Sequence, residues 1–246
     1  MRERDASGSG VDSLRRRGPV PTFGDVGVGD TFLVMIEGRV TERCYLDGVR
    51  ACLALGSAHV RVVNPTKHDP MGLVEAAIQE RAGLQRRRNE GQASIREPQM
   101  FDHVWVVFDT EGSDQVDRVK QAVERARREK IHAAFSTPSI EFWVLLHFRF
   151  TTGLLVDSAA AERALGDAWG QRYSKRADAF PQLWAALKPN IPAAVSRAQQ
   201  VREHHDRCST LFPANPATHV DLLVRALNAS VQPPRRILPA DGKGTP

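Results

Sequence analysis

The chain has 246 residues, of which 41% are hydrophobic and 26% charged, and a formal net charge of +5. Those values describe an ordinary globular protein with room for one large core, and the basic balance leans toward an acidic partner such as nucleic acid. No apolar run is long enough to span a bilayer, the polar N-terminus does not read as a signal peptide, and Cys44, Cys52 and Cys208 fall at spacings that give no disulfide framework, so the expectation is a cytoplasmic protein with no membrane partner.

Residues 1–30 predict a disordered tail: Gly8-Ser9-Gly10, Arg15-Arg16-Arg17, Pro19 and Pro21 punctuate it, and Glu3, Asp5, Asp12, Asp25 and Asp30 balance its arginines. Order begins with the apolar run Thr31–Ile36, a buried strand ending at Glu37-Gly38. Thr41 is placed to cap the following helix, Glu42 falls in its first turn, and Leu46, Val49 and Leu53 make its apolar stripe. His59–Val63 reads as a second strand. Asp69-Pro70 is a cap followed by proline at the first helical position, and Leu73, Val74, Ala77 and Ile78 supply that helix's inner face. From Arg81 to Glu97 the pattern fades into a basic, loop-like stretch containing Arg86-Arg87-Arg88.

Val104-Trp105-Val106-Val107-Phe108 is apolar throughout rather than alternating, which describes a strand covered on both faces. Asp109-Thr110-Glu111-Gly112 follows at once. Val116, Val119, Val123 and Ala126 define another helix, whose outer face carries Lys120, Arg125, Arg127, Arg128 and Lys130. Ile131–Phe135 is a fourth strand, and Thr137-Pro138 opens an apolar helix through Phe148 with Glu141 in its first turn. Strands alternating with helices predict an α/β domain over 31–150, a parallel sheet with helices on both faces. Residues 151–230 read as a basic, wholly helical C-terminal region with helices at 158–170, 175–188, 191–208 and 216–229. A flexible tail is expected over 231–246.

Glu37, Asp109 and Glu111 all follow the carboxyl ends of buried strands, where open α/β sheets bind ligands. Carboxylates clustered in a half-buried crevice repel one another unless they share a proton or hold a cation. One or two Mg²⁺ ions (or Mn²⁺), bound through oxygen, would answer that repulsion. Each acid could equally cap a helix or pair with an arginine. Glu141 is a further ligand or general base in the first reading, and a carboxylate accepting backbone N–H bonds in the second. His147 is expected to pack or hydrogen-bond within the core. His204 and Cys208 share a helix face, yet no two further ligands stand at zinc-site spacing, and His219 alone does not complete a site. No Walker A loop occurs.

The segment Val34-Met35-Ile36-Glu37-Gly38-Arg39-Val40-Thr41-Glu42 resembles the strand–glutamate–helix opening of the TOPRIM fold, and Phe108-Asp109-Thr110-Glu111 resembles its second acidic motif. There two aspartates one residue apart are usual, and Glu111 departs from that pattern with a longer reach. Phe135-Ser136-Thr137-Pro138-Ser139-Ile140-Glu141-Phe142-Trp143-Val144-Leu145-Leu146-His147-Phe148 resembles the signature segment of RloB-like proteins, relatives of the AbiLii abortive-infection proteins. Tyr173-Ser174-Lys175 and Asn215-Pro216-Ala217-Thr218 are similar to that family's C-terminal part. The resemblance spans about residues 31 to 228.

It implies a TOPRIM-like core in a phage-defence protein, with Glu37, Asp109, Glu111 and Glu141 as catalytic candidates and the first three as metal ligands. A topoisomerase is disfavoured, because the available tyrosines are Tyr45, on a packing face, and Tyr173. No zinc-binding or helicase module accompanies the core, which disfavours a primase. The expected activity is a Mg²⁺-dependent nuclease acting on DNA or RNA, with Arg39, Lys67 and Lys175 as phosphate-binding candidates and an AAA- or ABC-type ATPase as a partner. The alternative is a non-catalytic nucleic-acid-binding sensor or regulatory subunit of such a complex. A third reading, an aspartate-based phosphatase with Asp109 as nucleophile, leaves Glu37 without a role.

Overall fold

Burial on both faces is what lets consecutive apolar residues form a strand, and it is realised in the two central strands. In β1 (Phe32–Ile36) every residue is buried, and so is every residue of β3 (His103–Asp109) except the last. The computed structural model describes residues 26–110 and 116–239. The other strands are β2 (Val60–Val63), β4 (His132–Thr137) and the two-residue β5 (Ala217–Thr218). They form one sheet in the order β2-β1-β3-β4-β5, parallel throughout except that β5 runs antiparallel to β4.

The period-two alternation of strand side chains divides the core into two layers. Phe32, Val34, Ile36, Trp105 and Val107 face one way, against α1 (Thr41–Cys52), α4 (Ile140–Leu145) and the C-terminal helices. Leu33, Met35, Val104, Val106 and Phe108 face the other, against α2 (Pro70–Asn89) and α3 (Val116–Arg128). The C-terminal helices are α5 (Ser158–Trp169), α6 (Phe180–Leu187), α7 (Ile191–Arg207) and α8 (Val220–Ala229). Their Leu165, Leu187, Val201 and Leu223 belong to the same hydrophobic cluster as β1 and α1. The α/β part and the helical region thus share one core.

Several elements differ from expectation. The basic stretch from Arg81 is not a loop, because α2 continues to Asn89 with Gly83 and Leu84 buried. Its last turns carry Gln85, Arg86, Arg87, Arg88 and Asn89 in succession, a run of polar residues that thins the apolar signal. Arg87 pairs with Glu97 at 2.8 Å, and Arg88 donates to the carbonyls of Glu97 and Pro98. Thr41 does not cap α1, whose N-cap is Val40. Asp69 does cap α2, accepting from the Gly72 N–H at 3.0 Å.

The helix opened by Pro138 stops at Leu145 rather than Phe148. There Arg197 donates to the carbonyls of Leu146 and His147, at 2.7 and 3.0 Å, and satisfies the groups a helix end leaves open. Residues 217–218 are sheet, not helix: β5 pairs with the end of β4, and the Ser136 and Thr218 hydroxyls meet at 2.9 Å. Of the two stretches expected to be tails, residues 26–30 and 231–239 are described. The Gly29 N–H donates to the Ser230 carbonyl at 2.9 Å, and Val231 and Leu238 are buried. No helix among the described residues is long and apolar enough to cross a membrane.

Candidate active site

β1 and β3 lie side by side and in register, Ile36 opposite Val107, so the residues after each strand emerge together at one sheet edge. Glu37 is where this matters. Its Oε2 accepts a hydrogen bond from the Asp109 backbone N–H at 2.9 Å, and the Glu37 N–H donates to the Val107 carbonyl at 3.1 Å. Asn64, after β2, donates to the carbonyls of Ile36 and Glu37 at 2.9 and 2.8 Å. The turn carrying Glu37 is thereby tied to both neighbouring strands.

Two further carboxylates reach this edge. Glu42, in the first turn of α1, is buried, and its Oε1 accepts from the Gly38 N–H at 2.9 Å. Gly38 has to be glycine for this, since a methyl group there would sit 1.9 Å from Glu42 Oε2. Glu141, in the first turn of α4, is fully buried. Three donors hold it: Ser139 Oγ at 2.7 Å, Tyr173 Oη at 2.8 Å and Lys175 Nζ at 3.3 Å. Tyr173 Oη also meets Thr41 Oγ1 at 2.7 Å, which is the use the fold makes of the residue expected to cap α1. Tyr173 and Lys175 come from the loop between α5 and α6, so the C-terminal region closes over the crevice.

The electrostatics follow from this crowding. Burial, with Glu42, Glu37 and Glu141 nearby, pushes the Asp109 carboxyl well above the ordinary carboxylate range, and Lys175 acts in the opposite direction. Burial also raises Glu42, to about 7, with Glu141 and Glu37 adding to the effect. Partial burial opposes the Lys175 charge, but Glu141 and Glu162 outweigh it and hold the ammonium above its usual range. Like charges are thus gathered in a poorly solvated crevice with one ammonium among them, the arrangement that most favours an added cation.

Of the residues expected at the site, the fold brings Glu37, Asp109 and Glu141 to one edge; Glu111 lies outside the described residues. Arg39, between β1 and α1, and Lys67, between β2 and α2, are exposed in loops at the same edge. Lys175 is half-exposed, but its ammonium lies on carboxylates, Glu141 at 3.3 Å and Glu162 at 3.0 Å. Sequence reasoning places Glu42 only as a favourable first-turn acid. The signal for more was its position in the helix directly after the Glu37-Gly38 turn, where a first-turn side chain can reach back to the strand end.

The donor set, four carboxylates, suits a hard divalent ion in its chemistry. Glu37, Glu42 and Glu141 are also engaged with protein donors, and among the described residues no group of three or more His, Cys, Asp and Glu side chains is arranged to hold a metal ion. His204 and Cys208 approach to 3.7 Å on the exposed end of α7, while His219 is buried against the Phe135 ring. His147 is a core residue. Its Nδ1 faces the Trp143 carbonyl at 3.1 Å and its Nε2 the Tyr45 hydroxyl at 3.2 Å, and burial lowers its pKa to about 3, so the ring stays neutral.

The family model described as RloB-like protein matches residues 32–227, most of the chain. The chain belongs to the RloB-like family. The matched span runs from β1 into α8 and includes every described carboxylate of the crevice as well as Tyr173 and Lys175. No curated protein and no solved structure matches it.

Proposed function

We propose that the chain is a metal-dependent nuclease with a TOPRIM-like core, hydrolysing phosphodiesters of DNA or RNA in the bacterial cytoplasm during phage defence. The observation that carries this reading is the contact between Glu37 and the Asp109 backbone, which makes one carboxyl-lined crevice from two strand ends, with Glu42 and Glu141 beside it. Glu37, Asp109 and Glu111 would hold Mg²⁺ or Mn²⁺. Such an ion orients a phosphate, stabilises charge on the attacking and leaving oxygens and acidifies a bound water. Arg39 and Lys67, exposed at the same edge, are the groups that would grip neighbouring phosphates.

The cations of the C-terminal region contribute less to that grip than their number suggests. Arg197 is used on the Leu146 and His147 carbonyls just past α4, and Arg202 makes two contacts with the buried Asp221, at 2.5 and 2.7 Å. The test is cleavage of single- and double-stranded DNA and RNA by purified protein with Mg²⁺ or Mn²⁺, alone and with a candidate ATPase partner. Cleavage that Asp109→Asn abolishes supports the proposal; no cleavage under any of these conditions rejects it.

A second reading has a specific observation in its favour. Glu37, Glu42 and Glu141 already have protein donors, and no three of the described His, Cys, Asp and Glu side chains converge on one centre. On that ground the chain would be a non-catalytic nucleic-acid-binding sensor or regulatory subunit working with an ATPase. Nucleic-acid binding that persists in Asp109→Asn, with no cleavage by either protein, distinguishes it.

A further inference from the structure

β2 runs beside β1 and parallel to it, Met35 opposite Val63, so the loop from β2 to α2 leaves the sheet at the same edge as Glu37 and Asp109. Both ends of that loop, residues 64–69, are tied down. Asn64 donates to the Ile36 and Glu37 carbonyls, and Asp69 accepts from the Gly72 N–H. Lys67 is pressed against the first turn of α2, where a methyl group on Gly72 would meet its Cβ at 2.7 Å. Between these ties lies His68, half-buried. Its Nδ1 is buried without a hydrogen-bond partner among the described residues. Nε2, neither bonded to them nor enclosed, is the nitrogen left to meet a ligand. A buried nitrogen with no acceptor beside it is a costly place for a proton, so the neutral ring carries its proton on Nε2.

We propose that His68 is a phosphate-contact residue of the nucleic-acid path, its neutral Nε2–H donating to a backbone phosphate oxygen beside the one that Lys67 grips. The inference rests on the nucleic-acid-binding part of the reading above. A phosphate oxygen only accepts hydrogen bonds, and the exposed Lys67 ammonium one residue earlier draws an anion to this loop. Because the loop is already held at both ends, little freedom is lost when the donor is engaged. A proton donor to the leaving oxygen makes a different demand, since removing it would slow cleavage and leave binding untouched.

The experiment is fluorescence anisotropy of the full chain with single- and double-stranded DNA and RNA oligonucleotides at pH 8. It is run across a salt series, with Ca²⁺ and separately with a chelator. Wild type is compared with His68→Ala, His68→Gln, His68→Asn and Lys67→Ala, with thermal melting of each. His68→Ala is expected to bind roughly tenfold more weakly. Its slope of log affinity against log salt should match wild type, because a neutral donor releases no counterion, whereas Lys67→Ala should lose about one from the slope. The glutamine amide nitrogen stands where Nε2 does and should restore affinity; that of asparagine stands where Nδ1 does and should not. Unchanged affinity in His68→Ala overturns the proposal, as does a slope lowered by about one, which marks a charged contact. A His68→Gln that melts like wild type yet binds no better than His68→Ala overturns it as well. If wild type binds and His68→Ala binds equally well, this inference alone falls. If wild type binds neither DNA nor RNA, the nucleic-acid reading falls with it.

Discussion

The Asp109 backbone N–H donates to Glu37 Oε2 at 2.9 Å, joining residues 72 apart in the sequence. The bond fixes one carboxylate beside the strand end that carries the next, and Asp109 is charged only at a cost. Replacing it with the isosteric, neutral asparagine should therefore stabilise the metal-free protein while removing a ligand. At pH 8 the melting temperature of Asp109→Asn is expected to rise by about 2–6 °C, with Mn²⁺ affinity at least about tenfold weaker. Glu37→Ala should behave differently, since it strips the Asp109 N–H of its acceptor and costs about 1–2 kcal/mol. Calorimetric melts and Mn²⁺ titrations of both variants check the pair; a lower melting temperature for Asp109→Asn would refute the repulsion argument.

The stability of the metal-free chain should fall as pH rises. In the unfolded chain Glu42 releases its proton near 4.5, whereas burial holds the proton on until about 7 in the folded protein. Between those values the unfolded state binds fewer protons, so unfolding becomes easier with each step up in pH. Below 4.5 both states are protonated and the group has no effect. Above about 7 the loss is complete, on the order of 3 kcal/mol for this group, and Asp109 contributes in the same direction. Urea melts from pH 4.5 to 8 in the presence of a chelator read this directly, and Glu42→Gln should flatten the slope. A stability that climbs across this window would contradict the assignment.

Two glycines make opposite tests. In Gly38→Ala the new methyl would meet the Glu42 carboxylate at 1.9 Å and expel it from its backbone partner, so both site geometry and cleavage should suffer, the latter by roughly tenfold or more. In Gly48→Ala the methyl would meet the Trp184 ring at 2.6 Å, where α1 packs on α6. That strain is expected to cost about 1–3 kcal/mol without changing Mn²⁺ affinity. Melting and metal titration together separate the two, and a metal defect in Gly48→Ala would mean that the crevice depends on α6 packing as well.

Arg39 and Lys67 are exposed in loops at the sheet edge that carries the carboxyl groups. Each alanine substitution should weaken binding of single- or double-stranded nucleic acid similarly across sequences. Each should also reduce the slope of log affinity against log salt by about one, as expected when one fewer phosphate is neutralised by the protein. Fluorescence anisotropy across a salt series measures both. A slope unchanged in the double variant would place the nucleic-acid path elsewhere on the surface.

The sheet was legible because burial on both faces leaves a direct chemical trace. Phe32–Ile36 and Val104–Phe108 contain no polar residue, and an unbroken apolar strand is soluble only when helices cover it on either side. The Asp69-Pro70 start of α2 was equally plain, because a cap is a bond between residues three apart. The far end of α2 was not, since the unbroken polar run Gln85 to Asn89 shows no apolar period. β5 escaped notice because two residues are too short for any periodicity, and their place depends on the edge that β4 offers.

Sequence by itself determined that acids follow the buried strands, because strand ends and carboxylates are both written locally. Which of those acids meet, and what compensates their charge, was decided by tertiary structure alone. Glu42 joins the crevice by folding back onto Gly38; Glu141 is held by Tyr173 and Lys175 from a loop more than thirty residues on; Arg197 and Arg202, cationic in sequence, are committed to the protein's own carbonyls and to Asp221. The physical reason is that a residue's charge is a property of its own side chain, whereas its counter-charge and its solvation belong to whatever the fold places around it.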